Sequence, residues 1–209
     1  MGGGGNWEFE MYWNNRSNSW VENGTLFLKP TFTENYLGPD KLRNGYLMSL
    51  WGNLPADLCT SNDFYGCERY SGGGGNILNP IMSARIRTVK SFSFKYGRVE
   101  VKAKLPKGDW IWPAIWLLPK DNAYGKWPAS GEIDICESRG NSNYLAGGVN
   151  TFGSTLHWGP NWDQNRYYLT HETYKLSQGD LHDDFHVYGL YWDDKQLYTY
   201  LDNENTKIL

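Results

Sequence analysis

Glu132, Asp134 and Glu137 gather three carboxylates in the run Ser130-Gly131-Glu132-Ile133-Asp134-Ile135-Cys136-Glu137-Ser138. Like charges on one patch repel, which does little for stability. Repulsion also pulls proton affinities apart, so one acid stays ionised while another keeps its proton near neutrality. Retaining glycoside hydrolysis uses that division: a carboxylate attacks as nucleophile and a carboxylic acid protonates the leaving oxygen, the two groups lying about 5 Å apart. The same trio also fits a solvated acidic edge or a calcium site, because a bare E-x-D-x-x-E is a short motif.

For the hydrolytic chemistry the acids must share one face of the element that carries them. Read as a strand, the run alternates, with Glu132 and Asp134 on one face and Ile133 and Ile135 on the other. Glu137 falls out of step and would turn into the packed side, where an unpaired carboxylate is costly. The pattern therefore predicts one extra residue near Ile135-Cys136, a β-bulge that lets five residues fill four strand positions. Four steps span about 13 Å of backbone. A concave sheet and two inward-leaning Glu side chains must then close the gap to about 5 Å.

The elements around this strand read as strands too. Residues 6–13 suggest a short strand with aromatics on both faces, 14–19 a loop, and 20–30 a hairpin turning at Glu22-Asn23-Gly24. Residues 30–76 read as a long loop, of the kind that is functional or pinned in place. Its glycine run at 72–75 lacks the Lys-Ser or Lys-Thr of a phosphate loop. Strands crowd the chain from Ile81, at 83–88, 92–94 and 96–105; in the last, Val99, Val101, Ala103 and Leu105 point away from the charges. Trp110, Trp112 and Trp116 share a parity in 110–118, a pattern commoner in a core than on a ligand platform. Pro113 places that run at an edge or a bulge. Residues 145–156 read as a glycine-rich strand ending at His157-Trp158-Gly159-Pro160, and 185–192 with 196–201 as a final hairpin. With no amphipathic helix of ordinary length and no internal repeat, the fold class is all-β, a sandwich or barrel.

At 209 residues the chain suits one domain. A net charge of −3, a pI near 5.8 and the lack of any basic block argue against a nucleic-acid surface. No apolar run reaches the length of about 18 residues that a membrane span needs. Eleven Trp and fifteen Tyr, beside a mean hydropathy of −0.64, exceed what a core requires, so some rings are expected in an exposed cleft, flat against a ligand. Cys59 and Cys67 bracket a polar loop at a spacing that permits a short disulfide in an oxidising compartment. Cys136 reads as a small buried group beside the bulge, and no Cys or His pair has zinc spacing. Two sequons, Asn15-Arg16-Ser17 and Asn23-Gly24-Thr25, favour the secretory route. Met1 with the glycines at 2–5 lacks the basic and apolar regions of a signal peptide, and a strand at 197–201 lies close to the chain end, so a fragment is expected.

The acidic run, preceded by Trp127-Pro128-Ala129-Ser130 and by Gly108-Asp109-Trp110-Ile111-Trp112-Pro113-Ala114-Ile115-Trp116-Leu117-Leu118-Pro119, resembles glycoside hydrolase family 16. Within it the chain is similar to the endo-1,3-β-glucanases (laminarinases) and the β-1,3-glucan-recognition proteins of invertebrates. Residues 2–10, 14–19, 94–100 and 155–160 are similar to that subgroup too, so the likeness covers nearly the whole chain. It implies a β-jelly-roll sandwich of two antiparallel sheets with a cleft across the concave one. It also implies Glu132 as nucleophile, Glu137 as general acid/base and Asp134 as the helper that orients and tunes the nucleophile. Trp112, Trp116 and His157 are implied at sugar subsites beside the reacting bond, with Asn15, Arg16, Trp127 and Trp158 as further sugar contacts. A ring suits the apolar C–H face of a β-glucose unit, while its hydroxyls suit Asn, Arg and His.

Two departures from the family pattern stand out. Members carry a leading segment before the position of Gly2 and several strands after that of Leu209. The family often holds a structural calcium through such ends, so no metal site can be assigned here, and no other cofactor is expected. The resemblance implies an endo-acting retaining hydrolase of β-1,3-glucan, with mixed-linkage 1,3-1,4-glucan the next substrate. The alternative is a non-catalytic glucan-binding recognition protein of innate immunity; such relatives typically lose a motif acid, and this chain keeps all three. A lectin-like sandwich whose acids bind calcium is the third reading. A secreted monomer is expected, with β-1,3-glucan polysaccharide as its partner.

Overall fold

A computed structural model describes residues 3–54 and 58–209; Met1 and Gly2 of the glycine-rich start and residues 55–57 of the long segment lie outside the described residues. The chain divides into two compact units, Met1–Ser91 and Phe92–Leu209. Strand dominates both, and no helix among the described residues is long and apolar enough to cross a membrane.

The first unit is built from short pieces: β1 (Glu10–Tyr12), β2 (Ser19–Glu22), β3 (Thr25–Leu28), β4 (Thr31–Phe32), the helix α1 (Glu34–Leu37), β5 (Leu47–Ser49), β6 (Glu68–Tyr70) and β7 (Ile81–Ser83). β7 pairs with β1 in parallel and with β4 antiparallel. The hairpin expected from Asn-Gly is β2–β3: Glu22 faces Thr25, and Asn23 and Gly24 take the positive φ values, 49° and 75°, that a two-residue turn demands. Residues 30–76 are not a bare loop, since β4, α1 and the β5–β6 pair lie within them. Strands of two or three residues show no readable periodicity, which hid them in the sequence. The Cys59–Cys67 disulfide is formed, with Cα atoms 5.6 Å apart. Met11, Leu37, Leu42, Met48, Leu78 and Met82 make this unit's core.

The second unit contains β8 (Gly97–Ala103), β9 (Ala114–Leu117), β10 (Glu132–Ser138), β11 (Thr151–His157), β12 (His171–Lys175), β13 (His186–Trp192) and β14 (Leu197–Leu201). They form two antiparallel sheets, one in the order β12-β11-β10-β9 and the other β14-β13-β8. The apolar faces meet over Ile135, Cys136 and Phe152 from the first and Tyr188, Leu190 and Leu201 from the second. The strand expected over 145–156 starts only at Thr151, and β12 carried no clear alternation to announce it. Trp110 and Trp112 precede β9, so the shared parity with Trp116 does not make one stripe; Trp110 is 81% exposed. Pro113 stands just before β9, which ends the four-stranded sheet.

The bulge lies in β10 where the acids require it. Asp134 faces Trp116 and Cys136 faces Ile115 on β9, while on β11 Asp134 faces Thr155 and Glu137 faces Gly153. Ile135 is the extra residue. It and Cys136 both go into the core, at 1% and 0% exposed, and the next residue returns Glu137 to the side of Glu132 and Asp134. The bulged carbonyl is not left without a partner: the buried Ser154 hydroxyl donates to Ile135 O at 2.7 Å. Ser154→Ala removes that donor and is expected to lower stability by about 1–2 kcal/mol. A shift in the urea midpoint at constant slope checks it.

Candidate active site

Glu132 opens β10 opposite His157, and the Trp127 indole N–H donates to its Oε2. Asp134, only 3% exposed, lies between Trp116 and Thr155 on the neighbouring strands, with Oδ2 3.3 Å from His157 Nε2. Glu137 follows the bulge between Ala114 and Gly153 and is hydrogen-bonded by Trp112. The Arg139 guanidinium lies over the Trp112 ring at 4.5 Å.

Burial and mutual repulsion set the protonation. Burial is the main cause that pushes Glu132 up to about 7, followed by the charge on Asp134; the Trp127 hydrogen bond and His157 pull the other way. Glu137 is raised too, first by burial and then by Asp134, against Arg139, His157 and Trp112. His157 is raised mainly by the Asp134 carboxylate 3.3 Å from its Nε2, and burial opposes this. Both glutamates therefore hold a proton more tightly than an ordinary carboxyl, which suits a general acid and which a nucleophile must give up before it attacks.

Trp112, Trp116, Trp127 and His157 all touch or face an acid of β10. Trp158 follows β11; its indole donates to Thr170 Oγ1 at 3.0 Å and Arg166 lies over its ring at 6.0 Å. Asn15 and Arg16 belong to the first unit, in the loop before β2. There Asn15 Oδ1 accepts the Ser17 N–H at 2.8 Å, and Arg16 Nη2 donates to Asn14 Oδ1 and to Ser19 Oγ, the latter at 3.2 Å.

Four residues near the acids gave no sequence signal: Arg139, Trp162, Asn165 and Tyr167. The last three lie in an irregular stretch after β11, where neither strand nor helical period applies. With Trp127, His157 and Asp163 they line a cavity of about 460 Å³. Trp162 packs 4.8 Å from Trp127, and His157 sits 5.4 Å from both Trp127 and Tyr167, so the wall beside Glu132 is aromatic. Composition pointed to rings in a cleft, and the resemblance named Trp112, Trp116, Trp127, His157 and Trp158 for it; of these, Trp127 and His157 line this cavity. Elsewhere, Asp180, His182 and Asp183 bring ligand atoms within 4.8 Å of one another. Lys107 pairs with Asp180 at 3.5 Å and Lys104 donates to the Asp183 carbonyl at 2.9 Å, so lysines already serve that turn.

Residues 76–209 match the profile of the glycosyl hydrolases family 16. The chain is 52% identical over 204 residues to a β-1,3-glucan-binding protein of Penaeus monodon, covering 97% of this chain and 55% of the relative. It therefore spans about half the length of that relative. It is 42% identical over 130 residues to the glucan endo-1,3-β-glucosidase A1 of Niallia circulans, covering 58% of this chain and 17% of that protein. Among solved structures it is similar to the laminarinase catalytic domain of Thermotoga maritima, with a TM-score of 0.60 and 28% identity over 97% of this chain and 62% of that one.

Proposed function

The chain belongs to the glycosyl hydrolases family 16, and from that premise we propose that it is an endo-acting hydrolase of β-1,3-glucans that retains the anomeric configuration. One observation carries the reading: a single extra residue, Ile135, brings Glu137 back to the side of Glu132 and Asp134, beside an aromatic cavity. Ionised Glu132 attacks the anomeric carbon while Glu137 gives its proton to the glycosidic oxygen, which leaves with the departing chain. Glu137, now a carboxylate, takes a proton from water as that water attacks the same carbon. The ester to Glu132 breaks, and the sugar departs with its starting configuration. Asp134 and His157 orient the nucleophile's surroundings, Trp127 fixes its carboxylate, and the rings of the cavity hold glucose units by their C–H faces. The Cys59–Cys67 disulfide supports action in an oxidising, extracellular setting.

The test is proton NMR of laminarin digestion. New reducing ends appearing first as the β-anomer support the reading; α-anomer first would mean inversion, and no release would end it. Parallel digests of lichenan separate β-1,3 from mixed-linkage preference. A second reading is favoured by the Penaeus monodon relative, named for binding glucan. It predicts retention on insoluble β-1,3-glucan with no new reducing ends.

The pH profile offers a further check. The Asp134 charge raises both Glu132 and Glu137, so Asp134→Asn lowers both. The nucleophile then ionises earlier and the acid loses its proton earlier, moving the whole kcat/KM profile to lower pH by about one unit. A profile that keeps both limbs in place would contradict the coupling.

A further inference from the structure

The His157 imidazole is held from both sides. Nε2 lies 3.3 Å from Asp134 Oδ2, and Nδ1 lies 2.8 Å from Asn165 Nδ2. The Asn165 amide cannot be turned over freely, because its Oδ1 accepts the Tyr167 backbone N–H at 3.2 Å. Flipped, it would set an NH₂ against that N–H. In the orientation that satisfies Tyr167, the amide nitrogen faces His157, and an amide nitrogen only donates. In the neutral ring Nδ1 must therefore present a lone pair, which leaves the one proton on Nε2, the nitrogen that lies 3.3 Å from Asp134 Oδ2.

We propose that Asn165 is a positioning residue that sets the neutral form of His157 as the Nε2–H tautomer, so that the ring turns its N–H to the side of Asp134 Oδ2, 3.3 Å from Nε2. The tautomer rests on geometry alone; its kinetic consequence rests on the hydrolase reading. The titratable groups facing the imidazole are Glu132, Asp134 and Glu137 from β10, and Tyr167 and Asp163 from the segment after β11. The three acids favour the imidazolium. Asn165 opposes it, since an Nδ1–H would confront the amide donor and lose that hydrogen bond. The opposition matters because a charged His157 lowers both glutamates, including Glu137, which must hold a proton to donate it.

The test is long-range ¹H–¹⁵N correlation of the histidine rings in the protein, with His157 assigned through the His157→Gln variant. Above the pH at which His157 titrates, the wild-type spectrum is expected to show Nδ1 unprotonated and Nε2 protonated. Asn165→Ala should raise the pH at which His157 titrates by about one unit, the worth of one hydrogen bond. Asn165→Asp, whose carboxylate accepts an Nδ1–H, should raise it further. The alkaline limb of kcat/KM on laminarin should fall by a similar interval in Asn165→Ala. A proton on Nδ1 of the neutral wild-type ring, or a folded Asn165→Asp variant with His157 titrating where it did before, overturns the proposal. The wild-type spectrum needs no variant to fold and no turnover, so a protein that binds glucan without cleaving it would defeat the hydrolase reading and leave the tautomer decided.

Discussion

Glu137→Gln is expected to lower kcat on laminarin by about 10²–10⁴-fold with KM nearly unchanged, the range for losing a positioned general acid. Glu132→Gln should cost more, because the amide cannot form the glycosyl ester at all. The two losses differ in kind. With an aryl glucoside whose leaving group needs no proton, the Glu137 variant still forms the ester and stalls there, giving a burst; the Glu132 variant gives none. Azide should rescue a Glu137→Ala variant by taking the place of water, yielding a β-glycosyl azide. Rescue of Glu132→Ala would come from direct attack and yield the α-product. Equal bursts in both variants would mean that the two roles have been misassigned.

Glu132 also links function to stability. Its proton affinity in the folded chain is raised to about 7 from 4.5. Folding therefore loses stability as pH rises from the ordinary carboxylate range through neutrality, where the unfolded chain would ionise and the buried group resists. Glu132→Gln removes that penalty. After allowing for partial exposure, the variant should be more stable than wild type by about 1–2 kcal/mol at pH 8, with the gain vanishing below pH 4.5. Thermal unfolding at the two pH values reads it directly. A functional carboxylate that weakens the fold is what an active site, unlike a structural acidic edge, would keep.

The bulge was legible because an acid out of step with its neighbours has only two outcomes, burial or an inserted residue, and burial is too costly. The hairpin at Asn23-Gly24 and the Cys59–Cys67 bridge were legible for equally local reasons, a turn type and a loop length. Trp112 shows how parity misleads. It was grouped with Trp110 and Trp116 as one strand face, yet it stands outside β9 and reaches Glu137 from a loop. Trp162 and Tyr167 open two short helical turns and Asn165 lies between them, in a segment whose conformation depends on what it packs against, and no local propensity encodes that. Asn165 could not be distinguished from any loop asparagine until the imidazole beside it was placed.

Gly189→Ala is expected to destabilise the second unit by about 3 kcal/mol or more. Gly189 lies in β13 between Tyr200 of β14 and Glu100 of β8. The Tyr200 ring lies across the glycine, and its hydroxyl donates to Glu100 Oε1 at 2.7 Å, so one side chain spans all three strands. A Cβ at Gly189 would sit 2.1 Å from Tyr200 Cζ and 2.2 Å from Cε2, with the ring buried and tied at its far end. Neither group can retreat cheaply. The neighbours of Gly189, Tyr188 and Leu190, face the other way into the core that holds Ile135 and Cys136, so a displaced β13 also loosens the floor under the bulge. Tyr200→Ala alone should cost about 3–5 kcal/mol by leaving a cavity. In that background Gly189→Ala should become nearly neutral, because the atom it strikes is gone. The double-mutant cycle should then return a coupling of about 3 kcal/mol, the whole cost of Gly189→Ala. Penalties that simply add would mean the ring and the glycine do not share that space, and the β8-β13-β14 sheet would need another account of its order.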